Sequence, residues 1–314
     1  MTWTTVDIPD QTGRRVIVTG ANSGLGYHTA LELARHGAEV IMAVRDPDKG
    51  AAAADIITAE ISGPGRVEVR ELDLADLGSV QHFAESCVNE RIDLLINNAG
   101  IMAIPRQLTV DGFERQFGTN HLGHMALTLR LLPALVRTGQ QFGASRVVTV
   151  SSGAHRMGRI DLADLMGEKR YQPWRAYGQS KLANLLFTLA LQSRFDQRQL
   201  QVGAYAAHPG YANTNLQGVA PQMKGSAAGA RMASWANSVM AQPAAMGALP
   251  TLCAATAPGV PPGAFVGPDG FLEQRGHPRV VTPSAAGRDA TMAAQLWTAS
   301  EALIGLTFDE ALPA

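Results

Sequence analysis

The chain is short of cysteine, of surplus charge and of long apolar runs, and each shortage removes a class of function. Cys87 and Cys253 are the only cysteines among 314 residues. Their separation offers neither a disulfide framework nor metal-ligand spacing, which fits a reducing compartment, and no metal site is expected. Lys and Arg number 26 against 27 Asp and Glu, for a formal net charge of -1. That balance provides no basic field for nucleic acid and no polybasic membrane anchor. No stretch approaches the roughly 18 uninterrupted apolar residues that a bilayer span takes. Residues Met1 to Asp10 have neither the basic start nor the apolar run of a signal peptide. A cytoplasmic protein with a small-molecule partner is expected.

What is present is a 46% hydrophobic, 17% charged composition with 32 glycines, ordinary for a soluble globular protein. Short β-branched runs read as strands at Arg15–Thr19, Glu39–Val44, Val67–Glu71, Asp93–Ile96, Arg146–Val150 and Val202–Ala206. Helical patterns separate them, among them Leu25–His36, Leu77–Asn89, Leu122–Val136 and Tyr177–Phe195. Strands apolar on both faces and alternating with helices imply an α/β, doubly wound, Rossmann-type parallel sheet with helices on both sides. No Pro/Ser-rich linker interrupts the alternation before residue 210, so residues 1–314 read as a single domain. Leu216–Pro250 is rich in Ala, Gly and Met and reads either as two helices packed on the core or as a lid over an apolar substrate. The segment at about 211–250 is accordingly the expected substrate cover. Beyond Ala264 a short strand, a turn and a closing helix around Asp289–Leu303 are expected.

Tyr177 and Lys181 are four apart on a helix pattern, so phenol and ammonium share one face. A cation beside a phenol stabilises phenolate and draws its pKa toward neutrality, where the proton can move both ways. Upstream, Thr19-Gly-Ala-Asn-Ser-Gly-Leu-Gly26 joins the first strand to the first helix. Glycines there permit a sharp turn and let a pyrophosphate approach backbone amides at a positive helix end. The second strand ends Val44-Arg45-Asp46. An acidic tip binds a ribose and repels a 2′-phosphate, whereas Arg45 after an apolar tip pairs with it, so NADP(H) is favoured and NAD(H) stays open. His121 and His124 are three apart on a helix, but no third ligand has suitable spacing and structural roles are expected. His155, three residues after Ser152, is a candidate for the substrate cavity, and His208 for packing or proximity to the cofactor.

Taken in order, Thr19-Gly-Ala-Asn-Ser-Gly-Leu-Gly26, Asp73-Leu74, Asn97-Asn-Ala-Gly100, Asn120, Ser151-Ser152, Tyr177-x-x-x-Lys181 and Pro209-Gly210 with Thr214 resemble the short-chain dehydrogenase/reductase family in its single-domain branch. Asp111-Gly-Phe-Glu114, Asn120-His-Leu-Gly-His124, Ser180-Lys-Leu-Ala-Asn184 and Arg275-Gly-His-Pro278 are similar to its retinol-dehydrogenase-like and actinobacterial oxidoreductase members. The resemblance implies an oxidoreductase that moves hydride between NADP(H) and a carbonyl or alcohol of a lipophilic molecule. It implies Tyr177 as acid or base, Lys181 on the nicotinamide ribose and lowering the Tyr177 pKa, Ser152 on the substrate oxygen, and Asn120 holding a water that joins Lys181 to solvent. Cofactor contacts are implied at Gly20, Asn22, Ser23, Gly24, Leu25, Gly26, Arg45, Asp73, Leu74, Asn98, Ala99, Gly100, Pro209, Gly210 and Thr214, besides Tyr177 and Lys181. A homodimer or homotetramer is implied as well. The membrane-anchoring segment of many retinol dehydrogenases has no counterpart in the first residues, which argues against carrying retinoid over as substrate. Two alternatives stand beside this reading: reduction of a carbon–carbon double bond on the same scaffold, and a non-catalytic dinucleotide-binding regulator.

Overall fold

The computed structural model describes residues 2–211 and 242–312. Thr214 and most of the 211–250 segment fall outside them. Eight strands are present among the described residues: β1 (Arg15–Thr19), β2 (Glu39–Val44), β3 (Arg66–Glu71), β4 (Leu94–Asn97), β5 (Ser145–Val150), β6 (Val202–Ala207), β7 (Phe265–Pro268) and β8 (Pro278–Val281). They form one sheet in the order β3-β2-β1-β4-β5-β6-β7-β8, parallel except for the final β7/β8 pair. The chain builds outward from β1 to β3 and then returns to the other side of β1 as β4. The β1/β4 seam is therefore the switch point, where ligands of such sheets bind beyond the carboxyl ends of the strands.

Alternation along the strands assigns the two faces. Val16, Val18, Val40, Met42 and Ile96 pack in one core with α1 (Gly24–Arg35), α2 (Pro47–Glu60) and α7 (Ala244–Thr256). Ile17, Ile41, Leu95 and Val147 pack in the other with α3 (Leu77–Cys87), α5 (Gly123–Phe142), α6 (Pro173–Gln197) and α8 (Ala290–Ile304). The three-residue α4 (Arg115–Phe117) enters α5 through one π-type turn at Gly118–Leu122, and α9 (Phe308–Ala311) closes the second core.

Three expectations are corrected. β3 is an edge strand, with Arg66, Glu68 and Glu71 exposed, so it is not covered on both faces; charged side chains protect such edges from pairing with another chain. The region after Ala264 holds two strands, because the Arg275-Gly-His-Pro278 segment turns the chain back as an antiparallel hairpin. α6 begins at Pro173, one turn before Tyr177, since proline at the first helical position has a suitable φ and forfeits no helical hydrogen bond. Among the described residues no helix is long and apolar enough to cross a membrane.

Candidate active site

The carboxyl ends of β1, β4, β5 and β6 deliver Thr19-Gly20, Asn97–Gly100, Val150–Ser152 and Ala207–Gly210 to one edge of the sheet. Gly20 adopts φ +66°, a left-handed conformation that suits glycine. At Gly26 a Cβ would lie 2.3 Å from the Gly20 carbonyl oxygen and 2.6 Å from Asn98 Nδ2, so the turn and α1 can approach only as glycine. Ser23 precedes α1 in extended conformation and its side chain makes no capping bond, leaving the first amides of the helix open to an anion. Asn22, Ser23, Gly24 and Leu25 are all partly exposed there. Glycines that a Cβ would fill and an uncapped helix end fit a dinucleotide pyrophosphate.

Thr19 ties this loop to its neighbour across the seam. Its hydroxyl accepts from the amides of Asn98 and Ala99, each at 2.9 Å, and its carbonyl accepts from Asn98 Nδ2 at 2.7 Å. Asp73 is half-buried and accepts from the Ala75 amide at 2.9 Å, while Leu74 is buried against the start of α5 at Gly123. Arg45 is exposed beyond the buried Val44 at the tip of β2. Asp46 caps α2 by accepting from the Lys49 amide at 3.1 Å and pairs with the Lys49 ammonium at 2.6 Å. Pro209 accepts from Gln242 Nε2 at 2.7 Å, which pins the segment after β6.

At the centre of the edge, α6 presents Tyr177 and Lys181, both buried. Lys181 Nζ lies 5.9 Å from the centroid of the Tyr177 ring and donates to the Val150 carbonyl at 3.0 Å. Asn184 Nδ2, one turn on, donates to the same carbonyl at 3.1 Å. Burial pushes the Lys181 ammonium down to about 8. The Tyr177 phenol is pushed up by burial, and a hydrogen bond with Ser152 draws it partly back. Desolvation is the largest influence on the phenol and holds it above its ordinary value.

Ser152 also receives the Ala154 amide at 3.2 Å, so it caps the short turn at Gly153–Met157 while facing Tyr177. Asn120 lies inside the π-type turn. Its amide group donates to the Ile101 carbonyl and to Ser180 Oγ, each at 2.9 Å, and its oxygen accepts from the Ile101 amide at 2.8 Å. Both donors are taken, so only the second lone pair of Oδ1 remains for a water. A Cβ on Gly100 would stand 3.2 Å from that oxygen and 3.4 Å from Lys181 Nζ, which places both groups around one small space. π-type turns recur at functional sites because they break the helical repeat and re-aim side chains.

The family profile for short chain dehydrogenases matches residues 14–225. The chain belongs to the short-chain dehydrogenase/reductase family. Among curated members it is similar to retinol dehydrogenase 11 of Homo sapiens, 39% identical over 97% of this chain and 89% of that protein. It is also similar to polyprenol dehydrogenase and retinol dehydrogenase 12 of Mus musculus, at 47% and 49% identity over 67% and 66% of this chain. The latter two matches span 63% of those proteins' own length, just under two thirds. These likenesses put the chain in the retinol-dehydrogenase-like group. A crystal structure of an uncharacterized protein from Mycobacterium Paratuberculosis is 49% identical, with a TM-score of 0.80 over 98% of this chain and 99% of that one. A crystal structure described as an NAD(P) dependent gluconate 5-dehydrogenase from Beutenbergia cavernae with bound NADP is 26% identical, with a TM-score of 0.59 over 78% and 90%.

Several motif residues of this short-chain dehydrogenase/reductase to which the sequence assigned no role shape the site. Ser151, beside Ser152 at the end of β5, donates to the Lys181 carbonyl at 2.7 Å and clamps α6 to that strand. Ser180 accepts from Asn120 and donates to the Tyr177 carbonyl at 2.8 Å; its place in Tyr-x-x-Ser-Lys was the available signal. Glu114 accepts from the amides of Gln116 and Phe117 at 3.0 and 2.8 Å, capping the helix that leads to Asn120, which explains the Asp111-Gly-Phe-Glu114 motif. His155 is fully buried behind Ser152, with Nδ1 2.7 Å from the Ser152 carbonyl and Nε2 accepting from the Ser284 amide at 3.3 Å. His208 is buried and paired with Glu273 at 3.1 Å, and burial lowers its pKa to about 4.

Proposed function

We propose that the protein is a single-domain, NADP(H)-dependent oxidoreductase acting on an alcohol or carbonyl group of a lipophilic small molecule, with Tyr177 as the acid or base. The observation that carries this reading is the buried phenol of Tyr177 against Ser152, one helical turn from Lys181, on the sheet edge that holds the glycine turn. The dinucleotide, when bound, supplies or accepts the hydride. Ser152 holds the substrate oxygen beside the phenol. In the reducing direction Tyr177 gives its proton to that oxygen and becomes phenolate; in the oxidising direction the phenolate takes it back. Lys181, kept near the ring by the Val150 carbonyl, stabilises the phenolate through its charge. A carbonyl panel of medium-chain aldehydes, aromatic ketones, steroids and retinal tests the activity. No rate on any of them with NADPH bound would overturn it.

The cofactor preference is supported by the fate of Asp46. Its carboxylate is engaged as the α2 cap and with Lys49, which leaves exposed Arg45 as the side chain at the strand tip free to meet a 2′-phosphate. The NADP bound to the Beutenbergia cavernae neighbour agrees with this assignment. Arg45→Ala is expected to weaken NADPH binding about tenfold with little change for NADH, as an exposed charge-assisted contact would. Fluorescence titration of both dinucleotides measures it, and equal NADPH and NADH affinities in the unmutated protein would sink the preference.

A lipophilic substrate is supported by the retinol and polyprenol dehydrogenases among the relatives and by the side chains around the phenol. Trp174 stands edge-to-face with Tyr177 at 6.1 Å, yet is 54% exposed. Met157 is also exposed and reaches to 3.2 Å from where a Cβ on Gly178 would be. Trp174 thus flanks Tyr177, and Met157 lies against the next residue of α6. Trp174→Ala is expected to raise KM for long apolar substrates about tenfold while changing kcat little, because a flanking wall binds ground and transition states alike. An equal KM rise for the smallest aldehydes would contradict the role.

A further inference from the structure

His124 is fully buried on α5, one turn after Asn120, and no step of the proposed chemistry uses it. Its Nδ1 is 3.1 Å from the Asn120 carbonyl oxygen and its Nε2 is 2.9 Å from Thr19 Oγ1. A carbonyl can only accept, so Nδ1 carries the ring proton, Nε2 offers a lone pair, and the Thr19 hydroxyl donates to it. That direction is enforced from the other side as well. Both lone pairs of Thr19 Oγ1 are taken by the amides of Asn98 and Ala99 at 2.9 Å, so the hydroxyl can only give its own proton away. The next acceptor in reach, the Ile96 carbonyl, is farther at 3.4 Å. One chain of donors therefore runs from the Asn98 and Ala99 amides through Thr19 and His124 to Asn120.

Each link belongs to a different part of the site. Thr19 opens the glycine turn, Asn98 and Ala99 precede Gly100, and Asn120 sits in the π-type turn beside Lys181. We infer that His124 is a positioning residue, a neutral two-ended clamp that holds the dinucleotide turn, the Asn98–Gly100 loop and the Asn120 turn in one relative placement. Burial favours that neutral form, pushing the ring down to about 3, with the Lys181 charge adding to the effect. A protonated ring would present Nε2–H to an oxygen whose lone pairs are already used, and the chain would break.

This inference rests on the oxidoreductase reading above, and its test separates the two. The probes are His124→Phe, which keeps a ring but removes both bonds, Thr19→Val, which removes the hydroxyl, and the double variant. Nicotinamide fluorescence reads NADPH affinity without turnover, and an aldehyde substrate reads kcat. Each single variant is expected to lower kcat about 100-fold, the cost of displacing reacting groups by about an ångström. NADPH affinity should fall about tenfold, and the double variant should be no worse than the weaker single one, because both cut the same chain. Thr19→Ser, which keeps the hydroxyl, should recover most of the Thr19→Val loss even if His124→Phe fails to fold. The pH profile of kcat should keep its shape in a folded His124→Phe. Additive losses, wild-type affinity and kcat in either single variant, or disappearance of a limb of the pH profile would each overturn the clamp. An unmutated protein that binds no NADPH would overturn the oxidoreductase reading and the clamp with it, whereas intact binding and turnover that ignore both substitutions would overturn the clamp alone.

Discussion

Tyr177→Phe is expected to lower kcat by about 10²- to 10⁴-fold, the range ascribed to one well-placed general acid or base, while NADPH affinity changes little. The substitution removes a single oxygen. The ring keeps its edge-to-face contact with Trp174, and the Tyr177 carbonyl keeps its bond from Ser180, so α6 has no reason to move. Turnover should therefore fail in a folded, cofactor-competent protein. The direction of the pH dependence follows from the phenol's raised pKa. Carbonyl reduction needs the protonated phenol and should persist through neutral pH, declining only on the alkaline side; alcohol oxidation needs phenolate and should rise with pH. Retention of more than about a tenth of the wild-type rate in Tyr177→Phe would mean that another group moves the proton.

Lys181→Met is expected to abolish turnover and, in the absence of cofactor, to make the protein more stable at pH 7. Lys181 is 4% exposed, donates to the Val150 carbonyl, and has its pKa pushed down to about 8 by burial. Holding that ammonium in the folded core costs about 3 kcal/mol relative to the unfolded chain. The unfolded chain binds the proton more tightly, so stability rises with pH from about 8 toward the unfolded value and the full penalty applies below that window. Methionine has a similar stem and no charge, and Asn184 still donates to the Val150 carbonyl after the change. Thermal unfolding of the apoprotein at pH 7 should show Tm higher by about 2 to 5 °C in the variant, with the gap closing by about pH 10. A lower Tm at pH 7, or a gap indifferent to pH, would show that Lys181 contributes more to the fold than its buried charge costs. The expected trade of stability for activity is common where a functional group is held in a site that disfavours it.

Periodicity carried much of the fold. β1 and β2 run over the residues that alternation marks, and β4, β5 and β6 differ by one residue at an end or at both. β8 escaped because an edge strand with two of four residues exposed and proline at its start has no apolar run to announce it. The π-type turn at Asn120 escaped for a different reason: one extra residue in a helical turn changes no residue type. Among the site residues, Tyr177, Ser152, Lys181, Asn120 and the glycine turn stood out by order and spacing, and the structure brings them to one edge of the sheet. Ser151, Ser180 and Glu114 stood in the same motifs, but their partners did not, since a hydroxyl or carboxyl bonded to backbone carries no mark of which amide or carbonyl it meets.

The sequence by itself determined where most of the parallel strands run, to within a residue at their ends, because hydrophobic runs and turn-forming glycines are local. Only the tertiary structure decided what those ends do to one another. Thr19 and His124 are 105 positions apart, and Lys181 meets the carbonyl of Val150 31 positions before it. The charge state of Lys181, the proton on Tyr177 and the neutral form of His124 depend on water excluded by elements remote in the chain. Desolvation is a property of the assembled core, and no window of sequence contains it.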